Sequence, residues 1–148
     1  MKINLNLSKS TFSVTYLPLI DDWSNRFEIY CGSAGSGKSY FITQKILKRA
    51  LTEKIRVLVC RRYGSTLRQT CFALFKEILS KWQLTRYCHI RETDFHIDLP
   101  NGSEILFTGL DDEQKLLSLV NITVVFVEEV YEVPQDIFEQ LNLRLRGG

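Results

Sequence analysis

Three features of the sequence predict an α/β domain built on a mostly parallel sheet. Stretches with strand periodicity alternate with stretches of helical periodicity along most of the chain. A glycine-rich loop joins the first such strand to the first helix. Further on, Ile122 to Val127 is apolar on both faces, as strands inside a parallel sheet tend to be, and it runs directly into Glu128 and Glu129. The length of 148 residues suits one domain with one well-buried core.

Composition narrows the class. Apolar residues make up 45% and charged residues 24%, a globular balance that excludes a disordered tail, a collagen-like repeat or a coiled coil. No apolar run approaches the ~18 residues that a bilayer span needs. The opening residues alternate without a signal-peptide core, so the chain is expected to be neither secreted nor membrane-inserted. Cys31, Cys60, Cys71 and Cys88 form no CxxC pair, which points to small buried thiols rather than disulfides or zinc ligands. His89 and His96 lack ligand spacing and read as structural or surface residues. The net charge of +2 conceals a segregation: Lys38 to Arg68 holds nine basic residues and one acid, Glu92 to Glu139 twelve acids and one base. Such a split suggests one face for a polyanion and another that holds a cation or is simply solvated.

The elements follow in order. Arg26 to Cys31 alternates as a short strand and stops at Gly32. Ile42, Ile46 and Ala50, with Leu47 and Leu51 beside them, recur at helical spacing after the loop. Ile55 to Cys60 is a second strand, rich in β-branched residues. Cys71, Leu74, Phe75, Ile78, Leu79 and Trp82 form the apolar stripe of an amphipathic helix. Phe95, Ile97 and Leu99 alternate, Pro100-Asn101-Gly102 supplies a turn, and Ile105 and Phe107 alternate on the return, which predicts a β-hairpin insertion. Asp111 to Leu117 reads as a short helix. Pro134 suits the first residue of a last helix that carries Ile137, Phe138, Leu141 and Leu145 on one side.

Chemistry concentrates at two places. Gly32, Ser33, Ala34, Gly35, Ser36, Gly37, Lys38 and Ser39 match the phosphate-binding P-loop in full. Small residues are needed there because the backbone must approach the phosphates closely enough for its N–H groups to donate to them. The helix that starts at the loop turns its positive end towards the anion. Lys38 would then reach the β- and γ-phosphates, and the Ser39 hydroxyl would ligate Mg²⁺. The second place is the strand ending in Glu128 and Glu129, the pattern of a Walker B strand with its adjacent catalytic carboxylate. In that geometry Glu128 meets Mg²⁺ through its water shell, and Glu129 orients the water that attacks the γ-phosphate. ATP and Mg²⁺ are the cofactors so implied, with Glu129 and Lys38 as the catalytic pair. Arg61, Arg62 and Arg68 follow the second strand, and Arg144 and Arg146 close the last helix. For these five, contact to DNA or phosphate and a plain solubilising surface both stand as readings.

The runs Gly-Ser-Ala-Gly-Ser-Gly-Lys-Ser-Tyr, Val-Leu-Val-Cys-Arg-Arg and Thr-Leu-Arg-Gln-Thr-Cys-Phe resemble tailed-phage terminase large subunits of the PBSX-like type. So do Asn-Gly-Ser-Glu-Ile-Leu-Phe-Thr-Gly-Leu-Asp-Asp, Ile-Thr-Val-Val-Phe-Val-Glu-Glu-Val and Leu-Asn-Leu-Arg-Leu-Arg, in order from about residue 12 to the end. The resemblance implies an ATP-driven motor that threads double-stranded DNA into a capsid as a homo-oligomeric ring on the portal protein, with a small terminase subunit. It implies the host cytoplasm as the location, and no membrane. It also implies a P-loop fold of the kind with a catalytic Glu after Walker B (ASCE type), with ATP at Gly32 to Ser39, Mg²⁺ at Ser39 and Glu128, and catalysis by Glu129. The segment after Asp111 would face the neighbouring subunit. Where the family tends to place a trans-acting base this sequence has Leu117, which shifts that role to Lys115. The family pattern continues well beyond Gly148, so residues 1–148 are expected to be a truncated ATPase domain, incomplete at the C-terminus, with the nuclease domain absent. The alternative is a P-loop remnant, or a small-molecule kinase-like nucleotide-binding domain, without motor activity. A kinase of that kind usually lacks a second Glu at the strand end.

Overall fold

The computed structural model describes residues 6–145. Its centre is a five-stranded mixed sheet in the order β2-β3-β4-β1-β5. The strands are β1 (Arg56–Arg61), β2 (His89–Arg91), β3 (His96–Asp98), β4 (Glu104–Gly109) and β5 (Val124–Val127). The three long apolar runs, β1, β4 and β5, lie parallel, with Val59 opposite Phe107 on one side and Phe126 on the other. β2 and β3 add on antiparallel. β3 and β4 thus pair across the expected turn, and the return strand is a full partner of β1 rather than an appendage.

Helices cover both faces, because the β1, β4 and β5 side chains alternate between two apolar surfaces. On one face Val57, Val59, Ile105 and Phe107 meet Ile46, Leu47 and Ala50 of α1 (Lys38–Thr52) and Phe75, Ile78 and Leu79 of α2 (Ala73–Lys81). Phe107 receives the edges of Phe72 and Phe75 at centroid distances of 5.0 and 5.2 Å. On the other face Leu58 and Cys60 pack with Leu116 of α3 (Glu113–Ser118) and Leu141 of α4 (Gln135–Arg144). Asp112 caps α3, its carboxylate accepting from the Lys115 N–H at 3.0 Å. A third cluster was not anticipated. Residues 11–20 fold over α1 and bury Phe12 and Ile20 against Phe41, tied down by Gln44 Nε2 donating to the Thr11 carbonyl at 3.0 Å.

Two expectations are corrected. Arg26 to Cys31 forms no ladder and is not a strand. β1 already has partners on both sides, and the outer edge of β5 carries only the parallel bridge Ile122↔Leu145 among the described residues. The segment pairs with neither, although the outer side of β5 is otherwise open to it; Phe27 and Ile29 are exposed, and Phe27 leans on Phe138 of α4. Cys31 is consequently an exposed thiol rather than a buried one. β5 has no strand on its outer side among the described residues, as expected of a sheet incomplete at the C-terminus, and Val125, Phe126 and Val127 are half-buried.

Candidate active site

The glycine-rich loop leads into α1 through two left-handed glycines, Gly35 at φ +76° and Gly37 at φ +81°. A side chain at either would strain the backbone, which is the physical reason for glycine there. Gly32 answers to space instead, since a Cβ would lie 3.2 Å from the Ser36 hydroxyl. Gly32 to Gly37 are exposed, Lys38 and Ser39 half-buried. The Lys38 ammonium is folded back into the loop, donating to the Gly32 carbonyl at 2.7 Å, the Ser33 carbonyl at 2.8 Å and Ser36 Oγ at 3.0 Å. A cation is thus held inside a concave turn at the N-terminus of a 15-residue helix, where partial positive charge accumulates. That combination suits a polyphosphate, whose oxygens would replace the three that Lys38 now uses.

The two acids occupy the carboxyl end of β5 in different ways. The Glu128 N–H donates to the Cys60 carbonyl at 2.9 Å, continuing the pairing with β1 one residue past the strand. Its side chain is 16% exposed. Its Oε2 accepts from the Cys71 thiol at 3.0 Å and lies 4.0 Å from Arg61 Nη1. Glu129 is exposed and left-handed at φ +55°, ψ +51°. A non-glycine residue in that region costs about 1–3 kcal/mol and persists only where the surroundings enforce it, most often at functional positions. Its charge raises the pKa of the neighbouring Tyr131 phenol. The Ser39 hydroxyl of the loop and the Glu128 carboxylate of β5 are each hard oxygen donors of the type that Mg²⁺ takes, although among the described residues no hydrogen bond or ion pair joins the loop to the end of β5.

The basic residues divide. Arg61 is drawn into the acidic end of β5, between Glu128 and Glu132, with its Nε 3.8 Å from the latter. Arg62 makes no ion pair among the described residues and lies over the Tyr63 ring. Arg68 is exposed, 3.7 Å from Glu92 and stacked over Phe95. Arg144 donates to the Leu117 carbonyl at 3.3 Å, and Arg146 lies outside the described residues. Lys115 is half-buried and lines a groove of about 620 Å³ with Asp111, Asp112, Gly64 and Phe95, at the carboxyl ends of β1 and β4. Two participants escaped sequence reading. Cys71 looked like any thiol on an apolar stripe, and the pairing of Arg61 with the strand-end acids needed the β1–β5 register.

Comparison with known proteins places these features in a family context. The family model described as phage terminase large subunit matches residues 24–148. The chain is 36% identical over 125 residues to the PBSX phage terminase large subunit of Bacillus subtilis (strain 168), covering 84% of this chain and 29% of that protein. It is 30% identical over 89 residues to the terminase large subunit of Bacillus phage SPP1, covering 60% of this chain and 21% of that protein. The large terminase from a thermophilic bacteriophage superposes with a TM-score of 0.72 at 19% identity, over 92% of this chain and 36% of that one. A structure of the same thermophilic-phage protein in complex with ADP superposes at 0.70 and 18% identity, over 90% of this chain and 36% of that one. At such identity the likeness shows a shared fold. The chain spans between 21% and 36% of the length of these proteins.

Proposed function

The chain belongs to the phage terminase large subunit family, and on that premise we propose that it is the ATP-binding and ATP-hydrolysing P-loop domain, ASCE type, of a DNA-packaging motor. The observation that carries this reading is the Lys38 ammonium, held by three oxygens inside a left-handed glycine turn at the start of α1. Nucleotide phosphates offer the same ammonium stronger, charged acceptors. The thermophilic-phage relative described in complex with ADP supports nucleotide as the ligand.

In this reading the loop's backbone N–H groups and Lys38 bind and orient the phosphates. Ser39 and Glu128 hold Mg²⁺, which when bound neutralises charge on the transferring phosphoryl group. Glu129 orients the attacking water and takes its proton, for which its exposed carboxylate at the strand end is available. Arg61 balances the acids of β5. Arg62, Arg68, Arg144 and Arg146 are the candidates for phosphates of double-stranded DNA, and Lys115 for a trans-acting base at the next subunit of a ring. The partners in this reading are the DNA, a small terminase subunit and the portal protein, and the place of work is the host cytoplasm. Among the described residues no helix is long and apolar enough to cross a membrane.

Equilibrium binding of a fluorescent ATP analogue, followed by phosphate-release assays, tests the assignment. Lys38→Ala is expected to weaken binding by at least about tenfold, since a charge-assisted contact is lost. Glu129→Gln should keep binding and lower turnover by about a hundredfold or more. Unchanged binding in Lys38→Ala would reject the loop as the phosphate site. Binding without any turnover in the unmodified chain would instead favour a nucleotide-binding remnant.

A further inference from the structure

Glu128 is a largely buried carboxylate with very few protein partners. Its backbone is fixed by the bond to the Cys60 carbonyl, but its side chain could still turn about three torsions. Two groups face it, and both face the same oxygen. Arg61 Nη1 stands 4.0 Å from Oε2, beyond hydrogen-bond range, while the Cys71 thiol donates to Oε2 at 3.0 Å. Among the described residues that thiol makes the one hydrogen bond the carboxylate accepts.

The backbone around Cys71 is built for this contact. Residues Arg68–Phe72 form a π-helical turn ahead of α2, with the Phe72 N–H donating to the Leu67 carbonyl five residues back at 3.0 Å. Such wide turns are rare and cluster at functional sites. Here the turn buries two consecutive side chains, Cys71 towards Glu128 and Phe72 against Phe107.

We infer that Cys71 is a positioning residue for Glu128: its thiol anchors Oε2 and so leaves Oε1 for the water shell of the divalent cation. The inference rests on the proposed role of Glu128 at Mg²⁺. A neutral donor serves here better than a cation, because it orients the carboxylate without cancelling the negative charge that attracts the metal. Outer partners of this kind typically change metal affinity by 10–100-fold when removed.

The test is the Mg²⁺ concentration at half-effect for tightening of a fluorescent ADP analogue, measured on the 148-residue chain. Cys71→Ser retains a donor and should stay within about threefold of the unmodified midpoint, whereas Cys71→Ala should raise it about tenfold. Cys71→Val, which fills the position with apolar atoms and lacks the donor, should behave like Cys71→Ala. All should bind the analogue equally in EDTA and keep their circular dichroism. Glu128→Ala separates the two layers of the argument. If it leaves the Mg²⁺ midpoint unchanged, the metal role of Glu128 is wrong. If it raises the midpoint while Cys71→Ala and Cys71→Val do not, the thiol is packing alone and the inference is overturned. Adding Cys71→Val to Glu128→Ala should give no further shift, since both act through one carboxylate.

Discussion

At the scale of single residues, the basic run that begins at Lys38 is much less free than its sequence suggests. Lys45 is buried on α1, its ammonium 2.6 Å from Glu28 Oε2 and 4.6 Å from the Trp23 ring centroid. The Tyr30 hydroxyl donates to the same carboxylate, and burial together with that carboxylate raises the phenol pKa. Lys48 pairs with Asp21, Arg49 with Glu53 and Arg56 with Glu104. Among the described residues of that run only Lys38, Lys54 and Arg62 make no ion pair, so the polyanion face read from the charge segregation shrinks accordingly. The Lys45–Glu28 pair also ties the extended segment ahead of the glycine loop to α1, a job its missing sheet partners do not do. Lys45→Ala leaves Glu28 uncompensated and should cost about 3 kcal/mol of unfolding free energy in urea titration. Lys45→Met combined with Glu28→Gln should return to within about 1 kcal/mol of the unmodified chain. A loss below about 0.5 kcal/mol in Lys45→Ala would put the pair among solvated surface pairs instead.

At the scale of elements, the ends of β1 and β4 are fitted to each other by glycine. A Cβ on Gly109 would sit 2.5 Å from the Gly64 Cα and closer still to the Gly64 nitrogen and Asp111 Oδ1. The Gly64 N–H donates to that same Asp111 oxygen at 3.1 Å, locking the turn after β1 across the end of β4. No left-handed angle is involved; the requirement is close approach alone. Gly109→Ala should therefore act as overpacking, lowering stability by about 2–3 kcal/mol in the same urea assay. A change under about 0.5 kcal/mol would mean that the two strand ends can part freely, contrary to the tight fit. The consequence reaches function, because this junction directs the chain from β1 into the π turn that carries Cys71.

For the whole molecule, both faces of the sheet are apolar, and a charged cluster sits on β3 and β4. His96, Asp98 and Glu104 place ligand atoms within 4.8 Å of one another on β3 and β4. Arg91 Nη2 lies 3.2 Å from Asp98 and Arg56 Nε 2.7 Å from Glu104, so each carboxylate already has a cation. Burial is the main cause that lowers the His96 pKa below 6.5, and Arg91 adds to it, while Asp98 and Glu104 pull the other way. The fold thus favours neutral His96. As pH falls through the ordinary value near 6.5, the unfolded chain takes up the proton first, so unfolding free energy should decline until the lowered folded value is passed. Thermal unfolding between about pH 7.5 and 5 should show that decline in the unmodified chain and less of it in His96→Gln, as roughly one proton's worth of slope. Equal slopes in both would remove His96 as the cause.

What the sequence determined alone was everything set by short-range rules. The loop from Gly32 to Ser39 needed only a contiguous local motif, and the α1 and α2 stripes needed only the helical period. The Pro100-Asn101-Gly102 turn followed from turn chemistry, and the order of the blocks carried the family. The tertiary structure decided what depends on who the neighbours are. Arg26 to Cys31 has strand periodicity yet no ladder: β1 is paired on both sides, and the segment does not join the outer side of β5. The Cys71–Glu128 bond joins residues 57 positions apart, and no local pattern marks a thiol whose partner is supplied by another strand's end. Period and turn chemistry act over a few residues, whereas pairing and burial are settled only when distant segments compete for the same surface.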